Sequence, residues 1–169
     1  MADAALTDSS SNSAAVSCRD VTREYTRGSE SRFSTQSNPT VTALDTVSVQ
    51  IYPGEFVGIA GPSGSGKSTL LHLLAGLDVP TRGTVTLGGT TTAGLSEQQR
   101  ARLRLENVGI VFQHFYLLPS ISARANVALP LIEFGTGRAS RRTQAEELLA
   151  RVGLSDRTDH KPGELSGGE

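Results

Sequence analysis

Gly61-Pro62-Ser63-Gly64-Ser65-Gly66-Lys67-Ser68-Thr69 fits the spacing G-x-x-x-x-G-K-[S/T] of a phosphate-binding loop, and its flanks fit too. Before it runs Phe56-Val57-Gly58-Ile59-Ala60, an apolar stretch of strand length. After it comes Leu70-Leu71-His72-Leu73-Leu74-Ala75, an apolar helical pattern. A strand that turns through glycines into a helix aims several backbone N–H groups at one point, which the helix's positive end also faces. Glycine allows the close approach, because a Cβ would stand between backbone and phosphate oxygens. Lys67 sharpens the reading: Lys67 and Lys161 are the chain's two lysines, against fourteen arginines. Lysine supplies the compact, mobile point charge that phosphate sites use.

The chain has 169 residues, which suits one domain or most of one. Its apolar fraction is 37%, low but globular, and much of the deficit sits in the Ser/Thr-rich first forty residues. A net charge of −1 gives no global attraction for nucleic acid or an anionic membrane. Cys18 is the lone cysteine, so no disulfide framework is possible, and a reducing compartment is the natural setting. Met1–Ser13 carries no basic residue and no apolar core, unlike a secretory signal. No apolar run reaches the ~18 residues of a membrane span, so any work at a membrane needs a partner that supplies the spans.

Along the chain, residues 1–13 read as a disordered tail. A first strand is expected from Ala14 to Tyr25, then a polar loop from Arg27 to Thr40. Val41–Ile51 alternates as a second strand, and Pro53-Gly54 turns it toward the glycine loop. These strands predict an antiparallel β flap beside a nucleotide core. Further on, Pro80–Gly83 is a turn and Thr84–Leu87 a short strand. Ser96-Glu97-Gln98-Gln99 is a capping box for a helix from about Glu97 to Leu105. Val108–Phe112 reads as a compact buried strand. Ser122–Leu131 and Ser140–Val152 read as helices, the second with Ala145, Leu148, Leu149 and Val152 on one face and Gly153 closing it. The order is a β flap, an α/β core and a helical insertion.

Leu165-Ser166-Gly167-Gly168-Glu169 ends the sequence, 98 residues after Lys67, with Gln113 following a buried strand between them. Alone, L-S-G-G is a turn-like tetrapeptide; in this order the chain resembles the ATP-binding subunit of an ABC transporter. The likeness runs from about residue 16 to the end. Ala75-Gly76-Leu77-Asp78, Phe112-Gln113-His114-Phe115-Tyr116-Leu117-Leu118-Pro119 and Ala125-Asn126-Val127-Ala128-Leu129-Pro130-Leu131 narrow it to the branch that serves lipoprotein release and macrolide efflux. The implied fold is an α/β P-loop NTPase core with an N-terminal antiparallel β flap and a helical subdomain. The implied division is a flap and core over residues 14–118 and a helical subdomain over about 119–169, with the C-terminal part of the core missing.

The resemblance also implies roles. ATP and Mg²⁺ are the expected cofactors. Lys67 would neutralise the β- and γ-phosphates, Ser68 would ligate Mg²⁺, and Thr69 would bind a phosphate oxygen. Gly61, Ser63 and the amides of Gly64, Ser65 and Gly66 would shape and line the phosphate site. Tyr25 would stack on adenine, Gln113 would contact Mg²⁺ or the attacking water, and Ser166, Gly167 and Gly168 would cap the γ-phosphate held by a second subunit. Glu169 stands where the family often has Gln. None of His72, His114 and His160 matches the family's switch histidine, which lies beyond the signature. His72 is expected to pack on the P-loop helix and the other two to lie at the surface or in loops. The Mg²⁺-ligating Asp, the catalytic Glu and that histidine would all follow Glu169, so the sequence as it stands is expected not to hydrolyse ATP at a family-like rate. With central strands absent, an apolar sheet edge and helix face should be exposed.

The expected partners are a transmembrane permease and, with nucleotide, a second ATP-binding subunit; nucleic acid is not among them. The expected location is cytoplasmic, on the inner face of the cell membrane through the permease. The alternative is a P-loop regulatory module without a transport role. A DNA-repair or chromosome-structure ATPase shares L-S-G-G, but 98 residues leave no room for its coiled coils. A kinase or GTPase would lack the signature.

Overall fold

The computed structural model describes residues 13–26 and 40–168. The expected tail, the Arg27–Thr40 loop as far as residue 39, and Glu169 lie outside these residues. The chain divides into two compact units, Met1–Ile110 and Val111–Glu169.

The first unit is a twisted antiparallel sheet with a helix on one face. Strand β1 (Val16–Thr26) pairs with β2 (Thr40–Ile51) on one side and β3 (Arg82–Leu87) on the other. A short β4 (Thr90–Thr91) extends the sheet to the order β2-β1-β3-β4. Both long strands match the alternation read from the sequence, each within two residues. Their pairing is irregular: Arg23 faces Leu44 while Glu24 faces Thr42, so Ala43 is skipped in the register. Such a bulge re-aims a residue out of the ladder.

Helix α1 (Lys67–Leu74) follows the glycine loop and covers the sheet. Leu73 and Leu74 turn inward onto Cys18, Val21, Leu44 and Val85, and these six form the core. Burying one such leucine contributes roughly 1.5–3 kcal/mol, so α1 is held mainly by this face and not by its eight-residue length. Burial also pushes the Cys18 thiol above its ordinary pKa, against a smaller pull from a hydrogen bond to the β2 backbone. Helix α2 (Glu97–Asn107) starts at the expected capping box: Ser96 Oγ accepts the Gln99 N–H and Gln99 Oε1 accepts the Ser96 N–H.

Two expected strands are not strands. Phe56–Ala60 and Val108–Phe112 carry no ladder among the described residues, and Phe56 and Val111 are fully exposed. Their apolar character asks for neighbouring strands, and the four-stranded sheet places none beside them.

In the second unit, α3 (Ala123–Ala128) and α4 (Pro130–Glu133) replace the single helix expected over Ser122–Leu131. Pro130 has no N–H to continue α3 and sits instead in the first turn of α4. Helix α5 (Arg138–Arg151) packs on α3 and ends near Gly153, whose φ of +79° suits a glycine. Its buried face is narrower than the periodicity implied. Ala145 and Leu149 are buried, but Leu148 is 45% and Val152 70% exposed. A six-residue α3 covers one stripe of α5 and no more.

Asn126 closes the turn before α3. Its Oδ1 accepts the Leu118 N–H at 2.8 Å, while its Nδ2 donates to the carbonyls of Leu118, Ile121 and Ser122. Arg124 ties α3 to its neighbours through Glu146 at 2.8 Å and Asp159 at 2.5 Å. Among the described residues, no helix is long and apolar enough to cross a membrane.

Candidate functional site

The glycine loop begins where β2 hands over to the core. Gly54 adopts φ +82° in the turn after β2, and the Glu55 carboxylate accepts the Tyr52 N–H. The loop then closes on itself: Ser65 N–H donates to the Pro62 carbonyl at 3.3 Å. Gly66, at φ +84°, is the N-cap of α1, and no side chain caps the helix there.

The result is a hollow of about 260 Å³ lined by Ala43 and by Ser63 through Thr69. Ala43 is the residue that the β1–β2 register skips, so the bulge supplies one wall. A Cβ on Gly66 would lie 2.4 Å from the Ala43 carbonyl oxygen. Only glycine therefore lets loop and flap meet here, and the sequence pattern alone gave no sign of this second demand on Gly66.

Around this hollow the donors converge. Among the described residues, the N–H groups of Gly64, Gly66, Lys67, Ser68 and Thr69 find no backbone acceptor, and the last three are first-turn amides of α1. Ser65, expected to join them, has its N–H turned to Pro62. Lys67 folds over the loop, its Nζ donating to the carbonyls of Gly61 at 2.9 Å and Pro62 at 2.7 Å, with Ser65 Oγ at 3.5 Å. The Ser68 and Thr69 hydroxyls sit on the first turn of the same helix. Unpaired amides, one ammonium and two hydroxyls at a positive helix end are the groups that bind an anion.

Tyr25 lies on β1 opposite Val41, two residues along β2 from Ala43. Tyr25 as a residue is 40% exposed, its hydroxyl donates to Asp78 Oδ2 at 3.0 Å, and the Arg23 guanidinium stands 4.5 Å from the ring centre. Arg23 in turn grips Asp78 with two hydrogen bonds, at 2.9 and 2.8 Å. Burial works against the Arg23 charge, but Tyr25 and the Asp78 carboxylate outweigh it and hold its pKa above the ordinary value. Neither Arg23 nor Asp78 stood out in the sequence as a site residue. Asp78 was visible only as part of Ala75-Gly76-Leu77-Asp78, and a pair 55 positions apart has no local pattern.

The remaining candidates belong to the second unit. Gln113 is exposed at a bend. Ser166, Gly167 and Gly168 line a hollow of about 490 Å³ together with His114 to Leu117, Pro162 and Leu165. The signature and the aromatic run that follows Gln113 are thus neighbours. Within that run, Tyr116 meets the Phe112 ring edge-on at 5.0 Å.

His72 does not pack as expected: it sits on α1 with its side chain exposed, because Leu73 and Leu74 take the inward positions. Among the described residues, no group of three or more His, Cys, Asp or Glu side chains is placed to hold a metal ion.

A family model described as ABC transporter matches residues 44–169. The lipoprotein-releasing system ATP-binding protein LolD of Pseudomonas fluorescens is 45% identical over 159 residues, covering 94% of this chain and 66% of the relative. The macrolide export ATP-binding/permease protein MacB of Burkholderia lata is 51% identical over 129 residues, covering 76% of this chain and 19% of the relative. Among solved structures, the dimeric post-hydrolysis state of the ATP-binding cassette MJ0796, bound to ADP and Pi, superposes with a TM-score of 0.77 at 39% identity. That match covers 90% of this chain and 64% of the other. The chain therefore spans about a fifth of the length of the macrolide export relative and about two thirds of the other two. With the family match over three quarters of its length and a relative 45% identical over 94% of it, the chain belongs to the ABC transporter family and carries part of its ATP-binding domain.

Proposed function

We propose that this chain binds MgATP at the Gly61–Thr69 loop and acts as the ATP-binding component of a transporter whose membrane spans come from a separate permease. The observation that carries the reading is the convergence of unpaired amides, Lys67 and the Ser68 and Thr69 hydroxyls on one hollow. Bound nucleotide would supply the free energy of its phosphoanhydride bond. The residues here bind and orient it. Lys67 Nζ exchanges its carbonyl acceptors for the β- and γ-phosphate oxygens, and the first-turn amides of α1 hold the phosphate chain.

The donor set also says how a metal would be held. Ser68 offers a single neutral oxygen, and no protein cage of acidic or imidazole ligands stands beside it among the described residues. Such a site suits Mg²⁺ carried in by phosphate oxygens and water, with Ser68 as one ligand. Tyr25 takes the adenine ring. Ser166, Gly167 and Gly168 cap the γ-phosphate bound to a second subunit, so the working form is a nucleotide-dependent dimer. Support for that dimer comes from the similar cassette MJ0796, described as dimeric with ADP and Pi. Support for a permease comes from the relative named as a macrolide export ATP-binding/permease protein, and support for a separate one from the lipoprotein-releasing relative, named as an ATP-binding protein alone. In this assembly residues 14–118 are flap and nucleotide core, residues from about 119 to 169 are the helical subdomain, and the complex sits on the cytoplasmic face of the membrane.

Titration calorimetry of the purified chain with ATP, with and without Mg²⁺, tests the reading. One nucleotide per chain, strengthened by Mg²⁺ and lost in Lys67→Ala, is expected. A folded chain that gives no binding heat and displaces no fluorescent ATP analogue at millimolar nucleotide would overturn it.

A further inference from the structure

The geometry points to Arg23 and Asp78 as positioning residues that hold the Tyr25 ring ready for a nucleotide base, one face braced and the other left for stacking. This inference rests on the reading of Tyr25 as the adenine-stacking residue and names what makes that ring competent.

Arg23 and Tyr25 are two apart on β1, and side chains two apart on a strand lean to the same face. The guanidinium lies 4.5 Å from the ring centre, a cation–π contact on one face of the ring. Among the described residues no other ring packs against Tyr25. Asp78 then locks both members. Its Oδ1 accepts from Arg23 Nη2 at 2.8 Å and from the Val79 N–H at 2.8 Å; its Oδ2 accepts from Arg23 Nε at 2.9 Å and from the Tyr25 hydroxyl at 3.0 Å. Four hydrogen bonds fill the acceptor capacity of one carboxylate. The Arg23 and Asp78 side chains are about four-fifths buried, whereas Tyr25 as a residue is 40% exposed.

The brace is wired to the phosphate hollow from two sides. Asp78 follows the C-terminal end of α1, where its N–H and that of Leu77 both reach the His72 carbonyl. The N-terminal end of that helix is the phosphate loop. On the sheet side, the β1 segment from Arg23 to Tyr25 pairs with the β2 segment from Leu44 to Val41, and the skipped residue, Ala43, is a wall of the hollow. Ring and phosphate site are thus set by the same helix and the same bulge. A freely turning tyrosine must lose rotamer freedom when a base lands on it; a ring tethered at its hydroxyl and braced on one face has already lost it.

The consequence is specific to the base. Cutting the tether should weaken ATP binding but leave binding of inorganic tripolyphosphate, which has no base, unchanged. Calorimetry with both ligands is done on the wild-type chain and on Tyr25→Phe, Asp78→Asn and Tyr25→Leu, each checked for folding by thermal melting. Tyr25→Phe keeps the ring, loses one hydroxyl and is the variant least able to disturb the fold. For Tyr25→Phe and Asp78→Asn, ATP affinity should fall about three- to tenfold with tripolyphosphate affinity unmoved. Tyr25→Leu should lose more, by roughly five- to a hundredfold. If Tyr25→Leu weakens ATP while Tyr25→Phe and Asp78→Asn match the wild type, the brace is refuted and the stacking reading stands. If ATP and tripolyphosphate weaken together, the cluster is merely structural and the inference fails. A wild-type chain that binds neither ligand, or a Tyr25→Leu chain that binds ATP as the wild type does, removes the underlying reading and this inference with it.

Discussion

Gly66 meets the carbonyl of Ala43 so closely that a Cβ on Gly66 would stand 2.4 Å from that oxygen. The contact joins the phosphate loop to the β flap, and it explains a glycine twice over. Gly66 needs a left-handed φ of +84° to cap α1, and it needs no side chain because β2 passes over it.

Gly66→Ala should therefore cost more than a glycine substitution that strains the dihedral alone. The left-handed conformation costs an alanine roughly 1–2 kcal/mol, and displacing a backbone oxygen adds to that because no rotamer can relieve it. Gly89 provides the contrast: its φ is +77°, and a Cβ there would meet nothing within 4 Å. Gly89→Ala is expected to lower the melting temperature by a few degrees, and Gly66→Ala by about twice as much, with weakened ATP binding in Gly66→Ala only. Equal shifts in the two variants would show that the Ala43 contact yields at no cost.

Lys67 Nζ donates to the Gly61 and Pro62 carbonyls. Those bonds are near the surface and contribute little to stability, whereas charge-assisted bonds to phosphate are worth about 1.5–3 kcal/mol. Lys67→Met should leave the melting temperature nearly unchanged and reduce ATP affinity by about ten- to a hundredfold. It should also flatten the dependence of binding on salt, since one cation no longer meets the phosphates. Calorimetry at two ionic strengths, with a thermal melt beside it, reads all three. A variant that melts far below the wild type would mean that the lysine mainly holds the loop's shape.

How far such features could be read from the residues depends on how local they are. The glycine loop is nine contiguous residues whose spacing carries its own geometry, and α1 starts at Lys67 as the helical run after it implied. The Ser96 capping box and the Gly153 stop are equally local. Phe56–Ala60 and Val108–Phe112 failed differently. An apolar run says that a segment wants a partner, and no neighbouring strand meets it among the described residues. Leu148 and Val152 lie on the helical stripe the periodicity gave, but the short α3 does not reach them. Arg23, Asp78 and the Ala43 bulge were out of reach because register irregularities and a pair 55 positions apart leave no periodic trace.

Asn126 holds the turn over Leu118–Ser122 through one accepted hydrogen bond and two Nδ2 hydrogens shared among three carbonyls. Asn126→Ala should destabilise the chain by about 2–3 kcal/mol, less than four separate bonds because they share one side chain. Asn126→Asp is the sharper variant. It keeps the acceptor for the Leu118 N–H but turns a carboxylate oxygen toward three carbonyls, so it should be no more stable than the alanine variant despite its matching shape. Denaturant melts together with faster amide exchange at Leu118 would bear this out. An aspartate variant close to wild type would show that the three Nδ2 bonds contribute nothing.

Glu146 sits between two arginines: Arg142 donates to its Oε1 at 2.9 Å and Arg124 donates to the same oxygen at 2.8 Å. The Arg142 hydrogen bond is the main cause, and Arg124 a further one, of a carboxyl pKa below the ordinary 4.5. A depressed folded-state value means that the contribution to stability is fully present above the unfolded value. It is lost as pH falls through the lower folded one. Glu146→Gln should therefore be less stable than the wild type at pH 7. The gap should hold down to about pH 5 and close as the pH drops below about 4. Asp159 shares Arg124, at 2.5 Å, but it is present in both proteins and largely cancels in the difference. Salt should narrow the gap at neutral pH, since the cluster lies near solvent. Melting curves of both proteins from pH 7 to pH 3 measure it directly. A gap that survives undiminished at pH 3 would mean that glutamine disturbs the packing of α5 on α3 rather than removing a charge.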